Sequence, residues 1–284
     1  MPSSALQRKS GGYSPIMPLP PPGPTTRVIV TGASSGIGAA VARALAHRGH
    51  PTTLVARRED ALTDLAAELG PQHEVHAADL GTDAGLDAAR GLLDDERVVG
   101  LVNAAGFGVT GRVAELAGDA GGRAALGDLV RLNVLALHDL TVAAVGALTR
   151  RGRPGAILNV SSITAFQPLP GAASYAAGKA FVQSFSEAVH AELAGTGVTL
   201  TTVSPGLTRT GFADAAGTDA FDQVPDLLVG EARDVAEAGV EAMARGDRSV
   251  TPGLVNQLTA LGGRFAPRTL LLPALDAGMR AFDA

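Results

Sequence analysis

Two side chains that can move a proton lie four residues apart in the segment SYAAGKAFVQSF (174–185): Tyr175 and Lys179. On a helix, residues at positions i and i+4 lie on the same face. The chain has 21 arginines and only two lysines, so a lysine here departs from the general composition. Tyrosine, with an ordinary pKa of about 10, transfers protons poorly at neutral pH, and a neighbouring ammonium favours its phenolate. The pair therefore predicts general acid–base chemistry.

Ser162 supplies a third polar group, thirteen residues before Tyr175. It ends the apolar run ILNVSS, which is typical of a buried strand. The carboxyl ends of parallel strands are where α/β sheets present groups to a ligand. A hydroxyl there can donate a hydrogen bond to a substrate oxygen while the tyrosine transfers the proton.

Short apolar runs alternate with segments of helical periodicity from residue 27 onward. Near-continuous apolar strands separated by helices indicate a parallel sheet that is covered on both faces. We therefore predict one α/β domain over residues 27–284, a doubly wound Rossmann-type fold whose parallel β-sheet is flanked by helices on both faces. The strands are predicted at 27–31, 52–56, 74–78, 98–105, 155–162 and 197–205.

A glycine-rich turn, VTGASSGIG, joins the first predicted strand to the first helix. Gly32, Gly36 and Gly38 allow a tight turn and a close approach of the backbone to a pyrophosphate, whose charge then lies at the helix N-terminus. Ser34 and Ser35 can cap the helix or donate to a phosphate. The position of this turn at the first strand-to-helix junction predicts a dinucleotide site.

The end of the second predicted strand, LVARRED, indicates which dinucleotide binds. A carboxylate there would accept hydrogen bonds from the adenosine ribose and repel a 2′-phosphate. This chain has Ala56 followed by Arg57 and Arg58, whose guanidinium groups suit a phosphate. NADP(H) is therefore the predicted cofactor, with NAD(H) as the alternative.

Three further segments are assigned from their composition and position. Residues 1–26, rich in Pro, Ser and Gly, are predicted to be a disordered tail. Residues 207–230 follow a strand end without a clear period, and we interpret them as a substrate lid or an ordinary surface insertion. Residues 253–284 predict a helical extension with three candidate roles: a subunit interface, a cover over the substrate pocket, or a membrane-surface helix, which its few cations disfavour.

The substrate pocket has no chemical fingerprint in the sequence. The stretch FQPLPG (166–171) lies between Ser162 and Tyr175, and its Gln167 and Leu169 are positional candidates for the pocket mouth. Phe107 follows the fourth predicted strand and suits either the pocket wall or the core. The apolar character of these segments favours a lipophilic ketone or aldehyde over a sugar.

Composition argues against several classes of protein. The formal net charge of −5 provides no basic surface for nucleic acid. The absence of cysteine excludes disulfides and thiolate metal sites, and it fits a reducing, cytoplasmic location. No run approaches about 18 consecutive apolar residues, so neither a membrane-spanning helix nor a membrane partner is expected. The histidine pairs His47/His50 and His73/His76 lack companion ligands, so no metal site is predicted.

Five sequence features together resemble the short-chain dehydrogenase/reductase family: TGASSGIG (31–38), NAAG (103–106), Ser162, YAAGK (175–179) and PG (205–206). The resemblance extends from residue 27 to about residue 210. It implies an oxidoreductase that interconverts an alcohol and a ketone or aldehyde by hydride transfer, with a tyrosine as general acid/base. It also implies a homodimer or homotetramer that acts on a small-molecule carbonyl or alcohol substrate.

The resemblance also implies roles for individual residues. In this family the lysine binds the nicotinamide ribose and lowers the pKa of the tyrosine, the serine orients the substrate, and an asparagine holds a water in the proton relay. The implied catalytic set is Asn133, Ser162, Tyr175 and Lys179. The implied cofactor-binding set is Gly32, Ser34, Ser35, Gly36, Ile37, Gly38, Arg57, Arg58, Asp79, Leu80, Asn103, Ala104, Ala105, Gly106, Tyr175, Lys179, Pro205, Gly206 and Thr210.

Two positions depart from the family pattern. Ala104 replaces the usual second asparagine of the loop, and Gly178 precedes the lysine where serine is common. Neither change removes a group that performs chemistry, so a competent site is expected. Ser161 is an alternative to Ser162, although the interval to Tyr175 favours Ser162. Two other functions stay open: a non-redox enzyme on the same fold, and a non-catalytic dinucleotide-binding regulatory protein.

Overall fold

The computed structural model describes residues 18–209 and 229–282 of the chain. Its strands are Arg27–Thr31 (β1), Thr52–Ala56 (β2), Glu74–Ala77 (β3), Val98–Asn103 (β4), Gly155–Val160 (β5), Val198–Val203 (β6), Thr208–Arg209 (β7), Gly230–Glu231 (β8) and Ser249–Val250 (β9). Its α-helices are Gly36–His47 (α1), Glu59–Leu69 (α2), Asp83–Gly91 (α3), Val113–Gly118 (α4), Ala120–Val130 (α5), Leu137–Arg150 (α6), Ala173–Glu192 (α7), Ala232–Arg245 (α8), Leu254–Phe265 (α9) and Arg268–Phe282 (α10).

Seven of the described strands form one parallel sheet in the order β3-β2-β1-β4-β5-β6-β9, and β7 pairs separately with β8. The strand order reverses between β1 and β4, so the chain winds outward in both directions from that point. Such a reversal opens a crevice at the carboxyl ends of the two central strands. The predicted doubly wound α/β fold is confirmed.

Helices cover both faces of the sheet and bury its strands. Val28 and Val30 of β1 belong to the core layer that includes residues of α1, α2 and α8. Ile29, which lies between them, belongs to the opposite layer with residues of α3 and α6. Because successive side chains of a strand point to opposite faces, a strand covered on both sides needs apolar residues at every position. This explains the near-continuous apolar runs in the sequence.

Three predicted strands end two residues earlier in the structure, at Asn103, Val160 and Val203. The residues beyond these points belong to loops at the carboxyl edge of the sheet, where the candidate site residues lie. The short strands β7, β8 and β9 were not predicted from the sequence, because two residues are too few to show a period.

Residues 18–26, which the composition assigns to a disordered tail, pack against the domain. Leu19 is 3% exposed and joins the core layer under α1 and α8. The hydroxyl of Thr26 accepts a hydrogen bond from Gly23 N at 2.8 Å and closes a turn before β1. A proline-rich composition does not show that Leu19 packs into the core, because that contact depends on residues far away in the sequence. Residues 1–17 lie outside the described part of the chain.

Helices α5 and α6 are joined by the π-helical segment Arg131–Ala136 into one continuous helical run, Ala120–Arg150. By length and apolar composition alone, this run is the one described helix that could cross a membrane, whereas none was expected from the sequence. Its most apolar window is 44% buried, and α6 packs on β4 and β5. A core helix of a soluble protein passes the same test, so this finding does not place the chain in a membrane.

The predicted extension at residues 253–284 contains α9 and α10, of which residues 283–284 lie outside the description. Pro267 separates the two helices, and Pro273 lies inside α10. Several large apolar side chains of this extension are exposed, among them those of Leu258 and Phe265. Of the segment interpreted as a lid, residues 210–228 lie outside the description.

Two buried histidines precede strands at the amino-terminal edge of the sheet. His50 is 5% exposed and His73 is 6% exposed, and Nδ1 of His73 lies 2.8 Å from the hydroxyl of Thr52. Burial lowers the pKa of both histidines, with a smaller contribution from Arg48 beside His50 and from Arg27 beside His73. Both side chains are therefore neutral in the folded protein at a pH at which they bind protons in the unfolded chain.

We expect the free energy of unfolding to fall as the pH drops below about 6.5, because the unfolded chain then binds more protons than the folded protein. Each histidine protonated only on unfolding contributes a slope of up to about 1.4 kcal/mol per pH unit. In urea titrations at about pH 7.5 and about pH 5.5, His73→Gln should reduce the loss of stability on acidification. The same substitution at the exposed His47 should leave that loss unchanged. An identical loss in wild type and His73→Gln would contradict the expectation.

Candidate active site

Tyr175 and Lys179 lie one turn apart on α7 and approach the carboxyl end of β5. The side chain of Tyr175 is hydrogen-bonded to that of Ser162. Nζ of Lys179 donates to the backbone oxygen of Val160 at 2.9 Å and lies 5.7 Å from the centre of the Tyr175 ring. Three of the four predicted catalytic side chains therefore meet at the end of one strand.

The two adjacent serines after β5 have different partners. The hydroxyl of Ser161, which is 1% exposed, donates to the backbone oxygen of Lys179 at 3.1 Å. The hydroxyl of Ser162 accepts from Thr164 N at 3.2 Å and is hydrogen-bonded to Tyr175. Ser161 thus holds α7 against β5, whereas Ser162 stands beside the tyrosine. This arrangement favours Ser162 over Ser161 as the hydroxyl for a substrate.

Burial sets the protonation of the tyrosine and the lysine. It raises the pKa of Tyr175 to about 12, and the hydrogen bond with Ser162 opposes this rise only in part. Burial also lowers the pKa of Lys179 to about 8. At neutral pH the phenol therefore keeps its proton and the ammonium is largely charged. Burial thus outweighs the hydrogen bond with Ser162 and raises the pKa of the tyrosine, whereas the resemblance implies a lysine that lowers it.

Asn133, the fourth predicted catalytic residue, lies in the π-helical segment and is 1% exposed. Its side-chain oxygen accepts from Phe107 N at 3.1 Å, and its side-chain nitrogen donates to Phe107 O at 2.8 Å. Widened turns of this kind recur at functional sites because they change the direction of the surrounding groups. Here both polar atoms of the side chain bond the backbone of Phe107 and so fix the loop that follows β4, and the predicted contact with a relay water stays a prediction.

The turn between β1 and α1 requires glycine at several positions. Gly32 and Gly36 have φ angles of 67° and 56°, which strain other residues. A Cβ on Gly32 would lie 2.7 Å from the backbone of both Ala104 and Ala105, and a Cβ on Gly38 would overlap the carbonyl of Gly32. These contacts hold the N-terminus of α1 close to the turn and to the loop after β4. The result is a backbone cradle that an anionic pyrophosphate can approach closely.

Two arginines follow β2 beside this cradle. Arg58 Nη2 donates to the backbone oxygen of Ser34 at 3.2 Å and to its hydroxyl at 3.1 Å. Arg57 is exposed, and its side chain has no ion pair within the described part of the chain. Ser35 is the N-cap residue of α1, but its side chain makes no capping hydrogen bond, and its donation to a phosphate stays a prediction. Ile37, in the first turn of α1, packs against the core.

The loop after β4 presents backbone rather than side chains to the cradle. Asn103 is 3% exposed, and its side-chain nitrogen donates to Thr141 at 3.0 Å and to Asn159 at 2.9 Å, inside the core. Ala104 and Ala105 are partly buried, and Gly106 is exposed. A Cβ on Gly106 would lie 2.9 Å from the side-chain oxygen of Asn133.

The remaining predicted cofactor residues occupy the ends of β3 and β6. The Asp79 side chain accepts from Gly81 N at 2.9 Å, and Leu80 is 5% exposed in the core, so Leu80 reaches a ligand only through its backbone. Pro205 O accepts from Ile163 N at 2.9 Å, which joins the loop after β6 to the residue following Ser162. Gly206 lies next to Pro205, whereas Thr210 lies outside the described residues.

Thr31, at the end of β1, was not singled out in the sequence but organises the cradle. Its hydroxyl accepts hydrogen bonds from Ala104 N at 3.1 Å and Ala105 N at 3.3 Å, and donates to Val102 O at 3.2 Å. It therefore ties the glycine turn to the loop after β4 across the reversal point of the sheet. The only signal in the sequence was a hydroxyl residue immediately before the first glycine.

The observed groups fit a nicotinamide dinucleotide. The glycine turn leaves no Cβ in the way of a pyrophosphate, the N-terminus of the twelve-residue helix α1 favours its charge, and the exposed Arg57 and Arg58 follow β2 beside the turn. Tyr175 and Lys179 stand at the carboxyl end of β5, on the same edge of the parallel sheet as the glycine turn. Among the described residues, no cluster of histidine and carboxylate side chains could hold a metal ion.

Comparisons with known proteins agree with this geometry. The family described as short chain dehydrogenase matches residues 26–220. Sulfoacetaldehyde reductase 2 from Chromohalobacter salexigens is 35% identical over 221 residues, which are 74% of this chain and 85% of that protein. A solved short-chain dehydrogenase from Sphingobium yanoikuyae in complex with NADPH is 34% identical, with a TM-score of 0.74 over 87% of this chain and 95% of that one. The bulky-bulky ketone specific alcohol dehydrogenase from Comamonas testosteroni is 28% identical, with a TM-score of 0.70 over 90% and 94%.

We expect Gly38→Ala to destabilise the protein although the position is helical, because the new Cβ would overlap the carbonyl of Gly32. Overpacking of this kind costs about 1–3 kcal/mol in the free energy of unfolding. The matched control is Gly127→Ala on α5, where a Cβ meets open space; there alanine should gain up to about 1 kcal/mol from helix propensity. Urea denaturation gives the change in the free energy of unfolding for each variant, which should fall for Gly38→Ala and rise for Gly127→Ala. A stabilised Gly38→Ala would show that the close approach of Gly38 to the carbonyl of Gly32 is not needed.

Proposed function

Because the chain belongs to the short-chain dehydrogenase family, we propose that it interconverts an alcohol and a ketone or aldehyde, with Tyr175 as acid–base group and NADP(H) as the preferred cofactor. The coarser statement is established by the comparisons: the protein is an oxidoreductase of this family that acts on alcohol or carbonyl groups and uses a nicotinamide dinucleotide. The assignment of individual residues, the cofactor preference and the substrate belong to the proposal.

One observation carries the proposal: the hydrogen bond between Tyr175 and Ser162, with the Lys179 ammonium 5.7 Å from the tyrosine ring. A hydroxyl pair and a buried cation at the carboxyl end of a central strand form an acid–base centre next to the dinucleotide cradle. A regulatory binder needs the cradle but has no use for this centre. A non-redox enzyme on the same fold is the other alternative, and the complete set of Ser162, Tyr175 and Lys179 together with the oxidoreductase relatives favours the redox reaction over it.

A bound nicotinamide dinucleotide supplies the hydride, and the protein positions the reactants and handles the proton. In the reduction direction, Tyr175 donates its proton to the substrate oxygen as negative charge develops there. A pKa of about 12 keeps the phenol protonated before this transfer. Ser162 donates a hydrogen bond to the same oxygen and thereby fixes the carbonyl in reach of the tyrosine.

Lys179 stabilises the phenolate that this transfer leaves behind. Its Nζ uses one hydrogen bond on Val160 O, and an ammonium has two further donors for ribose hydroxyls or for the tyrosine oxygen. Its pKa of about 8 means that the stabilising charge is present at neutral pH and is lost as the pH rises past that value. In the oxidation direction the same groups work in reverse, and Tyr175 takes the proton of the alcohol.

The preference for NADP(H) is supported by the residues that follow β2. Arg57 extends from the surface beside the glycine turn, and Arg58 is held against Ser34 by two hydrogen bonds. A guanidinium binds a phosphate through charge-assisted hydrogen bonds, and the chain has no carboxylate at this position to repel a 2′-phosphate. A related solved dehydrogenase, 34% identical, is a complex with NADPH.

The substrate is a small carbonyl compound or alcohol, and the partly buried Phe107, Phe166 and Leu169 favour a lipophilic one. The similar proteins named above act on sulfoacetaldehyde in one case and on bulky ketones in another, so similarity alone does not select the substrate. A homodimer or homotetramer and a cytoplasmic location remain predictions from the sequence.

We expect Tyr175→Phe to lower kcat/KM for reduction of a ketone or aldehyde by about 10²–10⁴-fold, the usual contribution of a general acid. The substitution removes only the hydroxyl, so the dissociation constant of NADPH should be nearly unchanged. The rate is measured as NADPH consumption across a panel of ketones and aldehydes, and binding by fluorescence titration. Tyr13→Phe, at the chain's other tyrosine, is the matched control and should retain full activity. Retained turnover in Tyr175→Phe would remove the tyrosine from its proposed role.

We expect Arg57→Ala to weaken NADPH binding by about 10–100-fold, the value of one charged hydrogen bond, and to leave NADH binding nearly unchanged. The dissociation constants are measured by fluorescence titration. Arg245→Ala is the control: Arg245 ends α8 at the opposite edge of the sheet, in ion pairs with Glu241 and Asp247. Equal losses for both dinucleotides would contradict a role in 2′-phosphate recognition.

A further inference from the structure

The C-terminal helices α9 and α10 rest on the segment that follows Ser162. A Cβ on Gly263 of α9 would lie 2.8 Å from the side-chain oxygen of Gln167 and 3.2 Å from the backbone oxygen of Phe166. Arg268 Nη2 donates to the same Phe166 oxygen at 3.3 Å. The guanidinium of Arg264 lies 5.9 Å from the centre of the Phe166 ring. The backbone and the aromatic side chain at this position are thus both held by the extension.

A second set of contacts reaches the loop after β4. Asp276 on α10 forms an ion pair with Arg112 at 2.8 Å, and its other oxygen accepts from Arg280 at 3.0 Å. Arg112 adjoins Gly111, whose N–H donates to the backbone oxygen of Gly171 at 2.7 Å. Gly171 in turn lies against α10, because a Cβ there would be 3.0 Å from Cε of Met279. Segments 107–112 and 166–171 are therefore joined to each other and to α10.

A third contact reaches the loop after β6. The side-chain amide of Asn256 on α9 occupies the space where a Cβ on Gly206 would stand. That amide also donates to the backbone oxygen of Pro252 at 2.7 Å. The loop containing Pro205 and Gly206 thus has α9 on its outer side. The loops after β4, β5 and β6 therefore all contact the two C-terminal helices.

We propose that α9 and α10 form the fixed wall of the substrate pocket and that Asp276 is a positioning residue, which acts through Arg112. This inference rests on the proposed function and assigns a role to the extension that the sequence left open. Arg112 holds the pKa of Asp276 below its ordinary value, which agrees with an ionised pair at neutral pH. Both partners are about one third exposed, with side-chain exposures of 33% and 31%, so their bond serves orientation more than stability. Small displacements of positioning groups strongly reduce rates, because the reacting atoms must lie in a narrow range of distances.

The test is the substrate KM of Asp276→Asn and Arg112→Gln, measured at saturating NADPH with a ketone that the wild type reduces. We expect each substitution to raise KM by about 5–30-fold, while the dissociation constant of NADPH and the thermal midpoint stay near the wild-type values. The double variant should be no worse than either single one. The exchanged pair, Arg112→Asp with Asp276→Arg, should recover part of the loss. Glu68→Gln is the control, because it breaks a comparable exposed ion pair with Arg43 between α1 and α2.

An Asp276→Asn variant whose KM stays within about two-fold of the Glu68→Gln control would overturn the proposal. If Asp276→Asn fails to fold, Asp276→Glu and the exchanged pair are judged by the same criterion.

Hydrogen exchange separates this proposal from the proposed function. Amide exchange in 107–112 and 166–171 is compared between Asp276→Asn and Glu68→Gln. Faster exchange in Asp276→Asn would support the proposal that Asp276 holds these segments through Arg112, even if the wild type reduced no carbonyl compound. Unchanged exchange in these segments would refute it independently of activity.

Discussion

The geometry of the site depends on one buried ammonium. Lys179 is 6% exposed, and a cation with so little access to water needs a fixed partner, which Val160 O provides at 2.9 Å. The hydroxyl of Ser161 bonds the backbone of the same lysine at 3.1 Å, so α7 is attached to the end of β5 twice within one turn. Tyr175 lies one turn earlier on the same helix face, and its distance from Ser162 follows from this attachment. A planar guanidinium is larger and has no such compact fit, which gives a physical reason for a lysine in a chain that otherwise uses arginine.

The same helix is fixed further along by polar contacts inside the core. Asn159 of β5 donates to Ser186 of α7 at 2.9 Å and accepts from Asn103 of β4 at 2.9 Å, and Ser204 after β6 donates to Gln183 at 2.8 Å. Buried polar groups bond only in particular orientations, so they set the register of α7 against three strands more closely than apolar packing does. The position of α7 relative to the loops that follow β4, β5 and β6 is fixed by the same contacts.

The two ends of the ligand crevice are built by different means. At the glycine turn, the absence of side chains lets the backbone of the turn after β1 lie close to the backbone of the loop after β4. The hydroxyl of Thr31 joins the same two segments by hydrogen bonds. At the ends of β4, β5 and β6, side chains of the C-terminal helices contact the loops from outside. The cradle is thus formed by residues close in sequence to the strands they follow. The opposite wall depends on a segment that returns from the far end of the chain.

Local patterns in the sequence were sufficient for the six main strands, the helix that carries Tyr175 and Lys179, and the glycine turn. A local pattern of residue types predicts each of these elements. Apolar runs predict strands buried on both faces, an i, i+4 pair predicts one helix face, and glycines predict positive φ angles. The choice of Ser162 over Ser161 required the interval to Tyr175, and the structure supports it through the different partners of the two hydroxyls.

Only the tertiary structure decided which polar side chains turn into the core and in which direction the pKa values of the ionisable groups shift. Asn103 and Leu80 turn their side chains into the core, Asn133 uses its amide on Phe107, and burial raises rather than lowers the pKa of Tyr175. The packing of Leu19 and the ion pair of Arg112 with Asp276 likewise join residues that are distant in the sequence. Desolvation and long-range contact depend on what surrounds a group in space, and a linear pattern of residue types contains no record of those neighbours.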